Sequence, residues 1–221
     1  MLNQSMDCLL CSLPGTLPFK AIKKPERNYF HCPVCDLIFM NPQEYLSKSE
    51  EKVRYDHHQN EDTEGYRRFL EPVVHDIEAF ARLRNKQNRE IKILDFGCGP
   101  QPLLVRLLEK QDFEVWKYDL FYFSDQHPLQ KTYDVITSTE VWEHFHHPHE
   151  EIQQLIPLLK PQSLLVVMTS SHPGRELFQD WYYRRDLTHV TFFSERTMKW
   201  IAQHFGLNLI KAQSPYWIFA K

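Results

Sequence analysis

From residue 91 onward, apolar positions alternate between two periods. IKILDF (91–96), EVWKYDL (114–120), YDVITST (133–139) and SLLVVMTS (163–170) are short apolar runs of strand length. Between and after them, spacings of three and four residues mark helices. PLLVRLLEK (102–110) sets Leu103, Leu104, Leu107 and Leu108 on one face, and HEEIQQLIPLLK (149–160) and SERTMKWIAQHFG (194–206) follow suit. Ser194 is placed as an N-cap and Gly206 as a stop. LNLIKAQ and YWIFAK close the chain as two strands. Strand and helix alternate throughout, which predicts an α/β fold with a doubly wound, mostly parallel sheet. SLLVVMTS is almost wholly apolar, as a central parallel strand should be.

Upstream the pattern changes. Phe69, Leu70, Val73, Val74, Ile77, Phe80 and Ala81 predict an amphipathic helix over 65–84, kinked or delayed by Pro72. Residues 41–63 are polar and aperiodic, and read as a linker or as a segment ordered only against something else. His57, His58 and Asn60 fall there, and exposed polarity accounts for them. The first fifty residues hold too few core-sized side chains to fold unaided. Three regions result: a module at 1–45, a polar linker with an amphipathic helix at 46–88, and the α/β domain at 89–221.

Cysteine placement explains how the first region folds. Cys8/Cys11 and Cys32/Cys35 are two C-x2-C pairs separated by twenty residues, the spacing of a zinc ribbon. Two tight turns supply four thiolates, the closed tetrahedral shell of a structural Zn2+ site. A dithiol redox site would call for a βαβ context, and a catalytic zinc would keep a position open for water. The odd total of five cysteines argues against a disulfide framework. Lys20, Lys23, Lys24 and Arg27 stand near Phe19, Tyr29 and Phe30, which would suit a nucleic-acid face, although a solvated loop between two knuckles explains them too.

Charge and hydropathy narrow the partners. A net charge of −3 gives no overall footprint for a nucleic-acid backbone. No run approaches the roughly twenty apolar residues of a membrane span. MLNQSMDCLLCSL lacks the basic start and apolar core of a signal peptide, so a cytoplasmic location is expected.

ILDFGCGPQP (93–102) is a glycine turn between a strand and a helix, the context in which such a motif carries meaning. Asp119, some twenty residues on, is placed to bind ribose hydroxyls. Three details disfavour a dinucleotide. Pro102 replaces the third glycine of G-x-G-x-x-G, Pro100 and Pro102 remove N–H donors, and Asp95 puts negative charge near the phosphates. A cationic nucleoside fits all three. S-adenosylmethionine carries a sulfonium, an ammonium and the same ribose, and no phosphate. Gly97 and Gly99, with Cys98 between them, let it approach the backbone.

On Asp95, Gly97, Gly99 and Asp119 the chain resembles the class I S-adenosylmethionine-dependent methyltransferases over residues 91–221, with Gln101 in place of the motif's third glycine. The four-cysteine module resembles the ribbon preceding this domain in a subset of bacterial methyltransferases. The resemblance implies a Rossmann-like sheet whose last two strands form an antiparallel hairpin. It also implies that Asp119 is the ribose acid, and that an E-x-x-E-H stretch lines the pocket, making Glu140, Trp142, Glu143 and His144 candidates.

Methyl transfer to a hydroxyl, amine or acidic carbon needs a base, and His144 then His189 are the candidates. His146, His147 and His149 read as solvated loop histidines rather than a second metal site. WYYRRDLTHVTFFS (181–194) reads either as plain packing, with arginines paired to Asp186, or as a substrate wall that stacks on a ring and binds an anion. The loop after ITST lacks the Asn/Asp-Pro-Pro-aromatic and Pro-Cys signatures of base-methylating enzymes, so a small-molecule acceptor leads. RNA, gripped by the zinc module, is the alternative partner. A non-catalytic ribbon adaptor, hinted at by Gln101, is the third reading.

Overall fold

The structure is a computed structural model that describes residues 6–57 and 62–221; His58 and Asn60 lie outside the described residues. The chain begins with three antiparallel strands, β1 (Leu17–Ala21), β2 (Arg27–His31) and β3 (Ile38–Met40). Two polar-faced helices follow, α1 (Lys48–His57) and α2 (Glu64–Leu83). The α/β part then runs β4 (Lys92–Phe96), α3 (Leu103–Glu109), β5 (Glu114–Tyr118), β6 (Tyr133–Thr139), α4 (Pro148–Leu155) and β7 (Leu159–Met168). It ends with β8 (Thr191–Phe192), α5 (Glu195–His204), β9 (Asn208–Gln213) and β10 (Tyr216–Ala220).

Six strands make the main sheet, in the order β5-β4-β6-β7-β10-β9. The first four are parallel, and β10 runs antiparallel to both β7 and β9, giving the expected terminal hairpin. Side chains alternate across it. In β7, Leu165 and Val167 face the layer of α4 and α5, while Leu164, Val166 and Met168 face that of α2 and α3. β10 alternates likewise, Trp217 and Phe219 against Tyr216 and Ile218. Ser194 caps α5 by accepting from the Thr197 N–H, and Gly206 at φ 66° ends it.

Two expectations change. Pro72 neither delays nor breaks α2, which starts at Glu64 under a Thr63 cap and carries the proline inside it. Residues 48–57 form a helix despite their polarity, because α1 is held by tertiary contacts that a hydrophobic period does not register. Its Glu51 is buried on His146, and Tyr55 lies edge-on to His144 at 5.2 Å.

The ribbon sheet has four strands, β1-β2-β3-β8, so its last strand comes from the far end of the chain. Ile38 pairs with Phe192 and Phe39 with Thr191, and the Met40 N–H donates to the Val190 carbonyl at 2.8 Å. Cys8, Leu10, Cys32, Cys35, Leu37 and Phe39 lie in the same apolar cluster as Trp142, Phe145 and Phe193. Arg184, 1% exposed, donates to the carbonyls of Lys23, Pro25 and Gln179, riveting the β1–β2 loop to residues 179–185.

Candidate active site

The turn after β4 is built by close backbone approach. Gly97 has φ 78°, and its N–H donates to the Tyr118 carbonyl at 2.8 Å. A Cβ there would lie 2.4 Å from Cγ2 of Val141, so only glycine fits. Gly99, at φ 65°, donates its N–H to Oδ2 of Asp119 at 2.9 Å. The other Asp119 oxygen accepts from the N–H groups of Phe121 (2.8 Å) and Tyr122 (3.1 Å). Backbone donors thus orient the carboxylate and leave lone pairs for a ligand hydroxyl. Cys98 lies between the glycines with a thiol that burial pushes well above its usual range.

Asp95 is fully enclosed and accepts from the Thr137 hydroxyl at 2.7 Å. Burial pushes its pKa up to about 7; the Thr137 bond opposes the shift and the Asp119 charge adds to it. Tyr66, near the start of α2, feels the charges of Asp95 and Glu140. An enclosed acid that ionises only near neutrality is suited to a cation as its neighbour.

Beyond the end of β6 the chain turns sharply. Glu140 takes a positive φ of 55°, and its N–H donates to the Met168 carbonyl at 2.8 Å. Burial, then the nearby Glu143, raise its pKa to about 9. Tyr183 links the two acids: its hydroxyl lies 2.5 Å from Oε1 of Glu143 and 3.2 Å from Oε2 of Glu140. Glu143 is 0% exposed, and its Oε2 has no hydrogen-bond partner among the described residues.

His144 and His189 meet here from segments far apart in the chain, with ring centroids 4.8 Å apart. Nδ1 of His144 lies 3.0 Å from the Thr188 carbonyl, and Nδ1 of His189 lies 2.7 Å from the Tyr183 carbonyl. Carbonyls only accept, so each proton sits on Nδ1 and each Nε2 keeps its lone pair. Burial lowers the His189 pKa to about 4, with the neighbouring His144 adding to the shift.

α1 crosses this region. The Tyr55 ring lies edge-on to His144 at 5.2 Å and tilted against Phe121 at 5.5 Å, Asp56 accepts from the Tyr122 hydroxyl at 2.7 Å, and Arg54 reaches Asp186 at 3.5 Å. One helix therefore bridges the loop beside Asp119 and the histidine pair.

A family profile described as a methyltransferase domain matches residues 63–212. The chain belongs to the methyltransferase-domain family. The fold agrees. A SAM dependent methyltransferase from Aquifex aeolicus superposes with a TM-score of 0.50 at 14% identity, over 79% of this chain and 98% of that one. An O-methyltransferase family protein from Burkholderia thailandensis gives 0.51 at 14% identity, over 77% of this chain and 61% of that one. No curated protein matches. In family this is a methyltransferase-domain protein, and its fold is that of S-adenosylmethionine-dependent methyltransferases.

Within this methyltransferase the cysteine pairs converge. Cys8 and Cys35 sulfurs lie 3.5 Å apart, as do those of Cys11 and Cys32, and all four fall within 4.8 Å of one another. A tetrahedral zinc with bonds of about 2.3 Å spaces its sulfurs by about 3.8 Å, so the set fits that ion. Both knuckles share one backbone pattern: the Ser12 N–H bonds the Cys8 carbonyl at 2.9 Å and the Asp36 N–H bonds that of Cys32 at 3.0 Å.

Several expectations are corrected. Trp142 lines no pocket; it is fully buried against Phe145, Phe193 and Phe219, a core that a pattern match to E-x-x-E-H does not reveal. Arg184 binds no substrate anion, being spent on three carbonyls, and Asp186 faces Arg54 and Thr188. His146 goes to Glu51 and His149 to the Leu10 carbonyl, so the loop histidines diverge. Thr137, Val141, Tyr183 and Tyr55 were not legible as site residues, since each acts through a neighbour distant in sequence.

Proposed function

We propose that this methyltransferase transfers a methyl group to a small molecule, holding S-adenosylmethionine at Asp95, Gly97, Cys98, Gly99, Asp119 and Glu140 and keeping a structural zinc on Cys8, Cys11, Cys32 and Cys35. The carrying observation is that the glycine turn with its two acids adjoins a cluster of buried Glu143 and half-buried His144 and His189 under α1. When bound, the cofactor supplies an electrophilic methyl on a sulfonium. Asp119 is oriented to accept from ribose hydroxyls, and Asp95 offsets positive charge. The acceptor's reacting atom belongs beside the histidine pair, where the Nε2 of His144, or in its place that of His189, takes its proton. Enclosure by Tyr55 and α1 favours a small acceptor. The ribbon's cations favour it too, because Lys20 pairs with Glu26, Lys23 with Asp180 and Arg27 with Glu44, which weakens a free nucleic-acid face.

Calorimetric titration with S-adenosylhomocysteine, against NAD and NADH, tests the cofactor site. Asp119→Ala should weaken binding roughly 10- to 100-fold, the loss of a charged hydrogen bond. Binding of a nicotinamide cofactor alone would overturn the reading. Once an acceptor is found, His144→Ala should lower kcat by about 100-fold with S-adenosylhomocysteine affinity retained.

A further inference from the structure

We propose that Glu143, His144 and His189 form a second metal site, distinct from the four cysteines, that binds a first-row divalent cation facing the methyl acceptor. Each of the three residues offers a ligand atom, and these lie within 4.8 Å of one another. The free lone pairs are the right ones. Both histidines commit Nδ1 to a backbone carbonyl and leave Nε2, the arrangement in which ligating imidazoles are held by the groups behind them. Glu143 is oriented through Oε1 by the Tyr183 hydroxyl, while Oε2 is buried with no partner among the described residues. A buried carboxylate oxygen left without a donor is costly, and a cation would satisfy it.

Two imidazoles and one carboxylate suit zinc, iron(II), cobalt or manganese and leave coordination positions open. A cation about 2.1 Å from each ligand holds the ligand atoms roughly 3 to 4.2 Å apart, which small side-chain rotations reach from the present spacing. The open positions would take the acceptor, so the site selects acceptors with an oxygen donor beside the reacting group. With the cation in place both Nε2 atoms would be ligands, so coordination would acidify that oxygen and its proton would pass to solvent, in place of the imidazole step. This part rests on the methyltransferase reading, since it assumes that the acceptor lies at the cluster.

The test uses full-length, tag-free protein carrying one zinc per chain, titrated with cobalt(II) by calorimetry and visible absorption. The expected result is one further equivalent per chain with the weak spectrum of nitrogen and oxygen ligands, lost in His189→Ala and in Glu143→Gln with zinc content unchanged. His144→Ala, at a half-buried position, serves where a buried change disturbs folding. No uptake by the wild type, or uptake unchanged in these variants, overturns the site. S-adenosylhomocysteine is titrated into the same samples. Its binding without cobalt uptake overturns the cation site alone, whereas its failure to bind overturns the methyltransferase reading.

Discussion

Asp95 carries the sharpest consequence at the scale of a single residue. Its folded pKa of about 7 lies above the ordinary carboxylate value of 3.8, because burial penalises the charge and Asp119 repels it. For a raised acid, the stability contribution is complete below the unfolded pKa and is lost as pH rises through the folded one. The apoprotein should therefore lose stability from this group between about pH 4 and 7. Cofactor binding should run the other way, since a cationic ligand prefers the ionised form. S-adenosylmethionine affinity should rise several-fold from pH 6 to pH 8, with a proton released on binding below pH 7. Calorimetry in buffers of different ionisation enthalpy reads both effects. An unchanged pH profile in Asp95→Asn would refute the assignment. Gly97 makes a second test: Gly97→Ala meets Val141 at 2.4 Å and holds alanine at a positive φ, so it should cost about 1–3 kcal/mol and abolish cofactor binding.

At the scale of an element, α1 is the least sequence-like part of the site. KSEEKVRYDH has no apolar stripe, and its contacts run to three separate segments through Glu51, Arg54, Tyr55 and Asp56. Tyr55→Ala should raise the acceptor KM more than it lowers S-adenosylhomocysteine affinity, because its ring lies edge-on to His144 and meets the cofactor side only through the Phe121 ring. Equal loss of both would mean that α1 encloses the cofactor instead. By contrast, α5 was legible in full. Its Ser194 cap, its apolar stripe and its Gly206 stop are all local signals, and local signals survive in a sequence. The same contrast runs through the site. Asp95, Gly97, Gly99 and Asp119 could be read because one strand–turn–helix–strand unit presents them at fixed spacing. His144 and His189 could be named but not paired, because only the folding of 181–190 over the short helical turn at 142–144 brings them together. Tyr183 could be read only as one of the aromatics of 181–194, since its role is set by two acids 43 and 40 residues away in the chain.

For the whole molecule, the ribbon and the α/β part share one core rather than touching at a seam. Cys8, Cys32 and Cys35 are buried with Trp142, Phe145 and Phe193, and Asp36 accepts from the Ser194 hydroxyl at the head of α5 at 2.6 Å. Structural zinc is worth on the order of 10–16 kcal/mol in small zinc modules. Its removal should therefore lower the melting temperature of the entire chain in one transition. Differential scanning calorimetry of zinc-replete protein against chelated protein or Cys11→Ser checks this. Two well-separated transitions would show a ribbon that melts alone.

The β3–β8 pairing also sets how such a protein can diverge. The family profile begins at residue 63, so the ribbon and α1 lie outside the stretch that defines the lineage. Yet β8 starts two residues after His189, and its partner in the ribbon is Ile38–Met40. On the function proposed above, a change of shape in the ribbon would reach the His189 side of the site before the glycine turn. Donor chemistry would then be inherited with the domain, while acceptor choice would drift with the module in front of it.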